Sequence, residues 1–329
     1  MNQPPLTEPF EIGGVEIANR VLLAPLAGIG NWFVRLQARR HGAGLAFSEM
    51  VSSFAIHHRN ERTLREMLRV HPDEHPIAIQ LFGSDPGVMR EAAAVTAAAG
   101  PELIDLNMGC PVPKVCKTGA GAALLEDPAR AVAIARAARE GSGRPVTVKL
   151  RSALRPGERD GIDLAERLVA DAGVAAVCLH PRPAAVHHKG RPEYALVGEL
   201  KRRVEVPVIV SGGLRSAERA RDAYERSGAD AVMIARGGLG YPWIFEELLD
   251  GRAEPPAPSE IVAELRWVLD RAERHWGGRA ARNLRKFYPW YLERLGITGP
   301  DADAYQRTDS LDEVREMLER VEIPLAVTV

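Results

Sequence analysis

Eight short apolar segments recur along the chain before residue 236, and the stretches between them carry apolar residues at helical spacing. Parallel strands that are buried on both faces are continuous apolar runs of this kind. Asp85 and Asp127 each precede a proline, which is typical of a helix N-cap followed by the first helical residue. The eight apolar runs cover residues 21–25, 45–48, 77–82, 103–106, 146–150, 175–180, 206–210 and 231–235.

Eight strands that each precede a helix predict an α/β fold, a closed (β/α)8 TIM barrel, rather than an open sheet. Gly100 and Gly173 stand where two of the helices are expected to end. Before the first run, residues 10–18 alternate between apolar and polar around Gly13-Gly14, which predicts a β-hairpin. We expect this hairpin to close the bottom of the barrel.

The pattern changes after a proline-rich segment at residues 251–258, beyond which only helical periodicity remains. Ser259 is expected to cap a first helix, and Pro289 to kink or divide a second. A capping box that begins at Ser310 is expected to open a third. We therefore assign residues 1–250 to a catalytic barrel, 251–258 to a linker and 259–329 to a small, all-helical C-terminal domain.

The composition excludes several classes of protein. The chain has 329 residues, 46% of them apolar, and a net charge of −1, which gives no overall attraction to nucleic acid. The N-terminus lacks the features of a signal peptide and no apolar run is long enough to cross a membrane, so a cytoplasmic protein is expected. Three cysteines, an odd count, indicate reduced thiols, no Cys/His spacing predicts a metal site, and no stable protein partner is implied.

Polar or glycine-rich residues follow all eight predicted strands. In a TIM barrel the carboxyl ends of the strands meet at the face that carries the active site. Each residue alone has a structural explanation, such as a solvated strand end or a core histidine, but eight consecutive strand ends together indicate an active site. They are Pro25-Leu-Ala-Gly28, Ser48-Glu49, Gln80, Asn107 with Cys110, Lys149 with Arg151, His180 with Arg182, Ser211-Gly-Gly213 and Ala235-Arg-Gly-Gly238.

Cys110 lies on a turn that follows the fourth apolar run. Gly109 permits a tight turn and Pro111 prevents a regular continuation of the strand. A cysteine in this position is either a small buried apolar residue, which is the commonest role of a lone cysteine, or an acid or nucleophile. This stretch alone does not decide between the two.

The strand ends suit flavin mononucleotide (FMN). Backbone N–H groups after the seventh and eighth strands, with Ser216 and Arg236, predict a phosphate site. Lys149 can place positive charge near a ring nitrogen that becomes anionic on reduction, and Cys110 can then donate a proton on the face opposite the hydride. Since no dinucleotide fingerprint follows the first strand, a nicotinamide donor is expected to bind only transiently. The predicted cofactor residues are Pro25, Leu26, Ala27, Gln80, Lys149, His180, Ser211, Gly212, Gly213, Ala235, Arg236 and Gly237.

The chain resembles the tRNA dihydrouridine synthases over nearly its whole length. The pair Asn107-Met-Gly-Cys-Pro111 and Gly119-Ala-Gly-Ala-Ala-Leu-Leu125 in one barrel is highly specific for this family. Further matches are Ala24-Pro-Leu-Ala-Gly-Ile29, Ser48-Glu-Met50, Gln80-Leu-Phe-Gly83, Val148-Lys-Leu-Arg151 and Gly237-Gly-Leu-Gly-Tyr-Pro-Trp-Ile-Phe245.

This resemblance implies an FMN-bound barrel and a helical tRNA-binding domain that together reduce the C5–C6 double bond of uridines in tRNA with NADPH. It implies that Cys110 is the general acid that protonates C5, and that Asn107 orients the uracil. It also implies that the flavin, which would deliver hydride to C6, is held by Gln80, Lys149, His180, Gly213, Arg236 and Gly237.

The chain departs from the family pattern at several positions. Gly30-Asn31 replaces the usual Thr-Asp, and His180-Pro-Arg-Pro183 replaces His-Gly-Arg-Thr, so the role of Arg182, a candidate substrate residue, is open. Ser211-Gly-Gly213 replaces Asn-Gly-Asp, and Tyr241 a more usual asparagine. None of these departures changes Cys110 or Lys149.

Residues 271–291 form a basic segment with interleaved aromatic residues, which favours RNA phosphate contacts and base stacking over a solvated face. Arg282 and Lys286 are four residues apart and are expected to share a helical face. The other basic residues of the segment are Arg271, Arg274, Arg279 and Arg285, and barrel loops add Arg59, Arg62, Lys189 and Arg191.

Two alternatives compete with a tRNA-modifying enzyme. The first is a flavin barrel that acts on a free pyrimidine, as dihydroorotate and dihydropyrimidine dehydrogenases do. It gives no reason for a basic helical appendage. The second is a non-catalytic RNA-binding protein, which would have no reason to keep both Cys110 and Lys149.

Overall fold

The computed structural model describes residues 3–322, so residues 323–329 of the predicted helical domain lie outside the described part of the chain. A hairpin precedes the barrel and consists of β1 (Phe10–Ile12) and β2 (Val15–Ile17), which pair antiparallel. Gly13 and Gly14 adopt φ values of 57° and 87°, which side-chain-bearing residues rarely adopt, so the predicted Gly-Gly turn is confirmed.

The eight predicted strands form a closed, parallel barrel. The ring closes because the second and third barrel strands, Leu45–Phe47 and Ile77–Phe82, pair with each other. One short extra strand, Val51–Ser52, lies along the third barrel strand. The predicted TIM barrel is therefore confirmed. In chain order the strands are β3 (Val21–Leu23), β4 (Leu45–Phe47), β5 (Val51–Ser52), β6 (Ile77–Phe82), β7 (Leu103–Met108), β8 (Val146–Arg151), β9 (Ala176–His180), β10 (Val208–Ser211) and β11 (Ala231–Ile234).

Helices follow the barrel strands, and several begin at the predicted caps. Asp85 accepts a hydrogen bond from the backbone N–H of Val88 at 2.8 Å, and Asp127 accepts one from that of Arg130 at 3.0 Å. Gly173 ends a helix in the left-handed conformation, as predicted. The helices are α1 (Trp32–Arg40), α2 (Ser53–His57), α3 (Pro86–Ala98), α4 (Pro113–Cys116), α5 (Pro128–Ser142), α6 (Asp160–Ala172), α7 (Ala195–Lys201) and α8 (Ala217–Ser227).

The hairpin closes the end of the barrel at which the strands begin. Ile12 and Ile17 are fully buried and belong to one apolar cluster with Leu45, Leu103 and Ala231. Each of these three residues is the first of its strand. A Cβ on Gly13 would also meet Pro145 and Ala175, which directly precede β8 and β9, so the hairpin lies at the amino-terminal face. The opposite face is therefore left for the polar strand ends.

The chain divides into two compact units, residues 1–237 and 238–329. In the second unit, Gly240 lies against the backbone of Trp290, and the guanidinium of Arg294 lies 4.0 Å from the ring centre of Tyr241. The assignment of residues 1–250, 251–258 and 259–329 to barrel, linker and helical domain stays a prediction. The helices of this unit are α9 (Trp243–Leu248), α10 (Pro258–Trp276), α11 (Ala280–Leu284), α12 (Tyr288–Arg294), α13 (Gly299–Arg307) and α14 (Leu311–Glu322).

Two details of the predicted helices are wrong. Helix α10 begins at Pro258, with Ala257 rather than Ser259 at the N-cap, because the Glu260 carboxylate accepts the Ala257 N–H at 2.7 Å. Helix α13 is absent from the prediction because only Tyr305 of its residues is buried, so it has no apolar stripe.

Other details of these helices are confirmed. Pro289 lies in the first turn of α12, and three turn residues separate α12 from α11, so the predicted second helix is divided. Ser310 caps α14 as predicted, because its hydroxyl accepts the Glu313 N–H at 3.3 Å. The reciprocal half of the capping box is not formed, because the Ser310 N–H donates to Thr308 Oγ1 at 3.0 Å instead of to Glu313. All helices within residues 3–322 are too short or too polar to cross a membrane.

A buried ion pair fixes the loop that follows β3. Arg35 donates to both carboxylate oxygens of Glu74, at 2.8 and 3.0 Å, and both side chains are almost completely buried. The same guanidinium donates to the carbonyl oxygens of Gly30 at 3.0 Å and Arg69 at 2.7 Å. The pair therefore ties the β3–α1 loop to the segment before β6.

We predict that Arg35→Met lowers the free energy of unfolding by about 3–5 kcal/mol, because it leaves the Glu74 carboxylate buried without a partner. Arg35→Met combined with Glu74→Leu should recover most of the loss. Urea unfolding measures both, and Arg167→Met at an exposed ion pair, expected to cost less than about 1 kcal/mol, is the control. A double variant as unstable as the single one would contradict this account.

Candidate active site

The register of the parallel strands brings polar side chains together at the carboxyl face of the barrel. Gln80 of β6 is paired with Asp105 of β7, and Asp105 with Thr147 of β8. Two residues further along, Asn107 is paired with Lys149. Since side chains two residues apart on a strand share a face, these residues form two adjacent layers of one polar cluster. The cluster joins three residues predicted for the site, Gln80, Asn107 and Lys149.

A continuous chain of hydrogen bonds runs through this cluster. Thr147 Oγ1 donates to Asp105 Oδ1 at 2.6 Å, and Gln80 Nε2 donates to Asp105 Oδ2 at 2.6 Å. Asn107 Nδ2 donates to Gln80 Oε1 at 2.9 Å. Asn107 Oδ1 in turn accepts the backbone N–H of Cys110 at 3.0 Å. The side chains of three strands therefore hold the turn that carries Cys110.

Cys110 sits on this turn with its side chain partly exposed. A Cβ on Gly109 would lie 3.0 Å from backbone atoms of Leu150, so a glycine is needed where the turn approaches β8. Burial raises the pKa of the Cys110 thiol. The thiol is therefore protonated at neutral pH, which suits a proton donor better than a nucleophile.

Asp105 is a buried carboxyl group at the centre of the cluster. Burial raises its pKa to about 7, against the opposing effects of hydrogen bonds from Thr147 and Gln80 and of the charge on Lys149. The ammonium of Lys149 is half-buried and forms no hydrogen bond or ion pair with any residue that the structure describes. Lys149 is therefore available to a bound group at the mouth of the barrel.

The loop after β3 presents few large side chains at its surface. Leu26 is buried, whereas Ala27 and Gly28 are exposed and Pro25 is partly exposed. The Glu49 carboxylate accepts the backbone N–H of Gly28 at 2.7 Å, which holds this part of the loop. The predicted residues Pro25, Leu26 and Ala27 thus lie on an anchored segment.

Cationic side chains gather around the ends of β8 to β11. Arg182 donates to His180 Nε2 at 3.1 Å, so this ring nitrogen accepts and the imidazole is neutral. Burial and the positive charges of Lys149 and the nearby guanidinium groups lower the pKa of His180. Burial and the charge of Arg215 lower the pKa of Arg236. Among residues 3–322, neither Arg215 nor Arg236 forms an ion pair with a carboxylate. This uncompensated positive charge favours an anionic group.

The glycine-rich end of β10 is tightly packed. Gly212 and Gly213 adopt φ values of 99° and 85°. A Cβ on Gly212 would lie 2.4 Å from the His180 ring, and one on Gly213 would lie 2.9 Å from the Tyr194 hydroxyl. Side chains are therefore excluded at these two positions. Ser211, at the end of β10, is buried.

Asp105, Thr147 and Arg215 are functional candidates that the sequence pattern does not single out. The available signal for Asp105 is a carboxylate inside an otherwise apolar run at residues 103–106. Thr147 and Arg215 carry no comparable signal, because their positions become meaningful only once the strand register and the loop after β10 are known.

The predicted RNA-binding residues of the second unit do not share a helical face. Arg282 lies in α11, whereas Lys286 lies in the turn before α12, so the expectation of one face is wrong. Arg282 is exposed and is 3.9 Å from Asp309. Arg285 instead holds the α13–α14 connection through Asp309 and two backbone carbonyl groups.

Comparison with known proteins identifies the family. The model of the dihydrouridine synthase (Dus) family matches residues 22–327. tRNA-dihydrouridine synthase B of Salmonella typhimurium is 36% identical over 321 residues, which cover 95% of this chain and 98% of that protein. Probable tRNA-dihydrouridine synthase 1 of Synechocystis is 34% identical over 320 residues, 95% of this chain and 89% of that protein. The chain therefore belongs to the dihydrouridine synthase family.

This membership confirms the resemblance inferred from the motifs. Members of the family are oxidoreductases that act on CH–CH bonds in tRNA, so the predicted enzyme class is confirmed and tRNA is the implied substrate. The result disfavours both a free-pyrimidine enzyme and a non-catalytic RNA-binding protein.

Solved structures agree with the barrel. A morphinone reductase in complex with tetrahydroNAD has a TM-score of 0.54 at 18% identity, and the match covers 78% of this chain and 94% of that chain. The old yellow enzyme homologue from Zymomonas mobilis has a TM-score of 0.56 at 16% identity, covering 78% of this chain and 96% of that chain. At these identities the similarity concerns the fold alone.

We predict that Asp105→Asn gains thermal stability relative to the wild type as pH rises from 5 to 8. The folded-state pKa of Asp105, about 7, lies above its ordinary value of 3.8, so the wild-type free energy of unfolding falls as pH rises between these values. The variant lacks this proton linkage. Melting temperatures at pH 5 and pH 8 measure the effect, with Glu126→Gln at an exposed site as control. A stability difference that is independent of pH would contradict the prediction.

Proposed function

We propose that this enzyme reduces the C5–C6 double bond of uridine in tRNA with bound FMN, with NADPH as a transient reductant and with Cys110 as the general acid. The observation that carries the proposal is the partly exposed, protonated thiol of Cys110 on a turn that Asn107 holds. Asn107 is the strand partner of Lys149, whose ammonium forms no hydrogen bond or ion pair within the described residues 3–322. The family membership supplies the substrate class.

The residues at the strand ends fit FMN. Lys149 offers a free positive charge for a ring nitrogen that becomes anionic on reduction. Arg236, Arg215 and the side-chain-free backbone at Gly212-Gly213 fit a phosphate group. The remaining residues that we assign to the cofactor are Pro25, Leu26, Ala27, Gln80, His180, Ser211, Ala235 and Gly237.

The protein's part in the reaction follows from Cys110 and Asn107. When bound, FMN supplies the hydride chemistry at C6. The thiol of Cys110 then gives its proton to C5, which leaves a thiolate to be reprotonated from solvent. We assign Asn107 to orientation of the uracil. One Nδ2 hydrogen of Asn107 makes only a weak contact, to Met50 Sδ at 3.7 Å, so this hydrogen is available to the base.

NADPH is proposed to bind transiently at the same face. The chain has no dinucleotide fingerprint after its first strand. Morphinone reductase, a barrel of the same fold, has been solved in complex with tetrahydroNAD, so a nicotinamide compound can bind to a protein of this fold.

The helical domain, residues 259–329, is proposed to bind tRNA, with 251–258 as a linker to the catalytic barrel at 1–250. Exposed Arg282 and Lys286 are assigned to phosphate contacts. The Lys286 ammonium lies 5.7 Å from the ring centre of Trp276, a pairing of cation and aromatic ring that suits RNA. Arg182 and the barrel-loop residues Arg59, Arg62, Lys189 and Arg191 are candidates for further RNA contacts.

We predict that Cys110→Ala lowers the rate of tRNA reduction roughly 100- to 10,000-fold, the usual contribution of a general acid. Bound flavin and its reduction by NADPH should be unchanged, because neither step needs the proton of the thiol. Stopped-flow absorbance separates the two steps. Cys116→Ala, which removes the other thiol near this turn, is the control and should retain activity. Full activity of Cys110→Ala would exclude this thiol as the acid.

We predict that Arg282→Ala and Lys286→Ala each raise KM for tRNA and leave kcat unchanged, since each removes a phosphate contact and no group that we assign to the chemistry. Each should also reduce the slope of log affinity against log salt concentration by about one. Affinity titrations at several salt concentrations test this. Arg167→Ala on α6 is the control, and equal effects from all three variants would argue against a specific surface.

A further inference from the structure

We propose that Asp105 is a positioning residue for Cys110, because its carboxylate sets the direction of the hydrogen bonds that end at the backbone N–H of Cys110. This inference rests on the proposed role of Cys110 as general acid. Asp105 would not touch the substrate or the cofactor; it would act through Gln80 and Asn107.

The direction of this series of hydrogen bonds follows from the acceptor at its first residue, Asp105. Both carboxyl oxygens of Asp105 accept: Oδ1 accepts the Thr147 hydroxyl and Oδ2 accepts Nε2 of Gln80, each at 2.6 Å, so the amide NH2 group of Gln80 faces Asp105. The Gln80 carbonyl oxygen then faces Asn107 and accepts from Nδ2 at 2.9 Å. Asn107 Oδ1 is thereby left to accept the backbone N–H groups of Gly109 at 3.2 Å and Cys110 at 3.0 Å.

Reversing the first amide would disrupt the turn. If Gln80 turned its oxygen toward position 105, its Nε2 would face Asn107, which would have to present Oδ1 to Gln80. Asn107 Nδ2 would then face the Cys110 N–H, and two donors would oppose each other. One acceptor at position 105 therefore determines whether the Cys110 turn is supported or repelled.

A purely structural role would not require a carboxylate here. The neighbouring residues of β7, Leu103, Ile104 and Leu106, are almost completely buried, and an apolar residue would suit this position. A buried carboxylate is costly, and the charge of Lys149 offsets only part of that cost, since burial still raises the pKa of Asp105; the Cys178 thiol from β9 is a further titratable group near it. Only the side-chain amides of Gln80 and Asn107 separate Asp105 from the turn that carries Cys110. A role in positioning that turn explains why a costly carboxylate is present.

The test compares Asp105→Leu with Asp105→Asn in the flavin-loaded enzyme. Leucine removes the acceptor, whereas asparagine keeps a carbonyl oxygen for Gln80 and can donate its amide to the Thr147 hydroxyl. We expect Asp105→Leu to slow single-turnover tRNA reduction roughly 100-fold and to slow NADPH-dependent flavin reduction far less, because Gln80 is only one of the residues assigned to the flavin. Asp105→Asn should restore tRNA reduction to within roughly tenfold of the wild type.

A second readout does not depend on catalysis. In a Cys116→Ser background, iodoacetamide should alkylate Cys110 several-fold faster in Asp105→Leu than in Asp105→Asn, because the turn is released in the former. The buried Cys178 should not react in either variant. Equal alkylation rates in the two variants would overturn the positioning role.

A double variant keeps the test decisive if Asp105→Leu fails to fold. Thr147→Val alone removes one of the two hydrogen bonds to the Asp105 carboxyl group and leaves the bond from Gln80 in place, so its rate is the single-variant reference. In Asp105→Asn combined with Thr147→Val, the NH2 group of the new asparagine has no acceptor at position 147. We expect this group to turn toward Gln80, which reverses the direction of the hydrogen bonds through Gln80 and Asn107. We expect the double variant to lose far more activity than the product of the single losses. Independent effects would contradict the proposal.

The outcomes separate this inference from the proposed function. If Cys110→Ala retains tRNA reduction, the role of Cys110 itself is wrong. If Cys110→Ala is inactive while Asp105→Leu keeps wild-type rates, only the role of Asp105 is overturned. If Asp105→Leu slows flavin reduction as much as tRNA reduction, Asp105 supports the cofactor site or the fold instead, and the positioning role is rejected.

Discussion

The site depends on the register of three neighbouring parallel strands in a closed barrel. Because β6, β7 and β8 are aligned so that Gln80, Asp105 and Thr147 lie side by side, their side chains can form one hydrogen-bonded chain across the barrel mouth. A shift of one residue in any strand would turn these groups to the opposite face. The closure of the ring and the hairpin beneath it, which buries Ile12 and Ile17, hold that register.

The cluster combines groups that a stable core would avoid. Asp105 is buried, Lys149 is half-buried without a partner, and Arg215 and Arg236 carry positive charge with no carboxylate partner within residues 3–322. Each arrangement lowers stability unless a bound group completes it. Their collection at one face of the barrel is the physical reason to expect an anionic cofactor there, and the protonated thiol of Cys110 is the group that we propose as the acid.

The sequence predicts those features that depend on local chemistry. The eight strands, the Gly13-Gly14 turn, and the Asp85 and Asp127 caps are all set by residues close together in the chain. Family motifs identify Cys110 and Lys149 as candidates. The hydrogen-bonded chain through Asp105 is not predictable in this way, because it requires contacts between residues 25 and 42 positions apart. Helix α13 is missed for a related reason, since it buries little and leaves no apolar stripe.

The most direct test of the account is to identify and count the cofactor of the purified protein, by its visible absorption spectrum and by analysis of the released compound. We expect one FMN per chain in the wild type and weaker retention in Arg236→Ala, whose guanidinium we assign to the phosphate. A protein that carries no flavin and binds none when FMN is added would contradict the assignment of the barrel mouth to this cofactor.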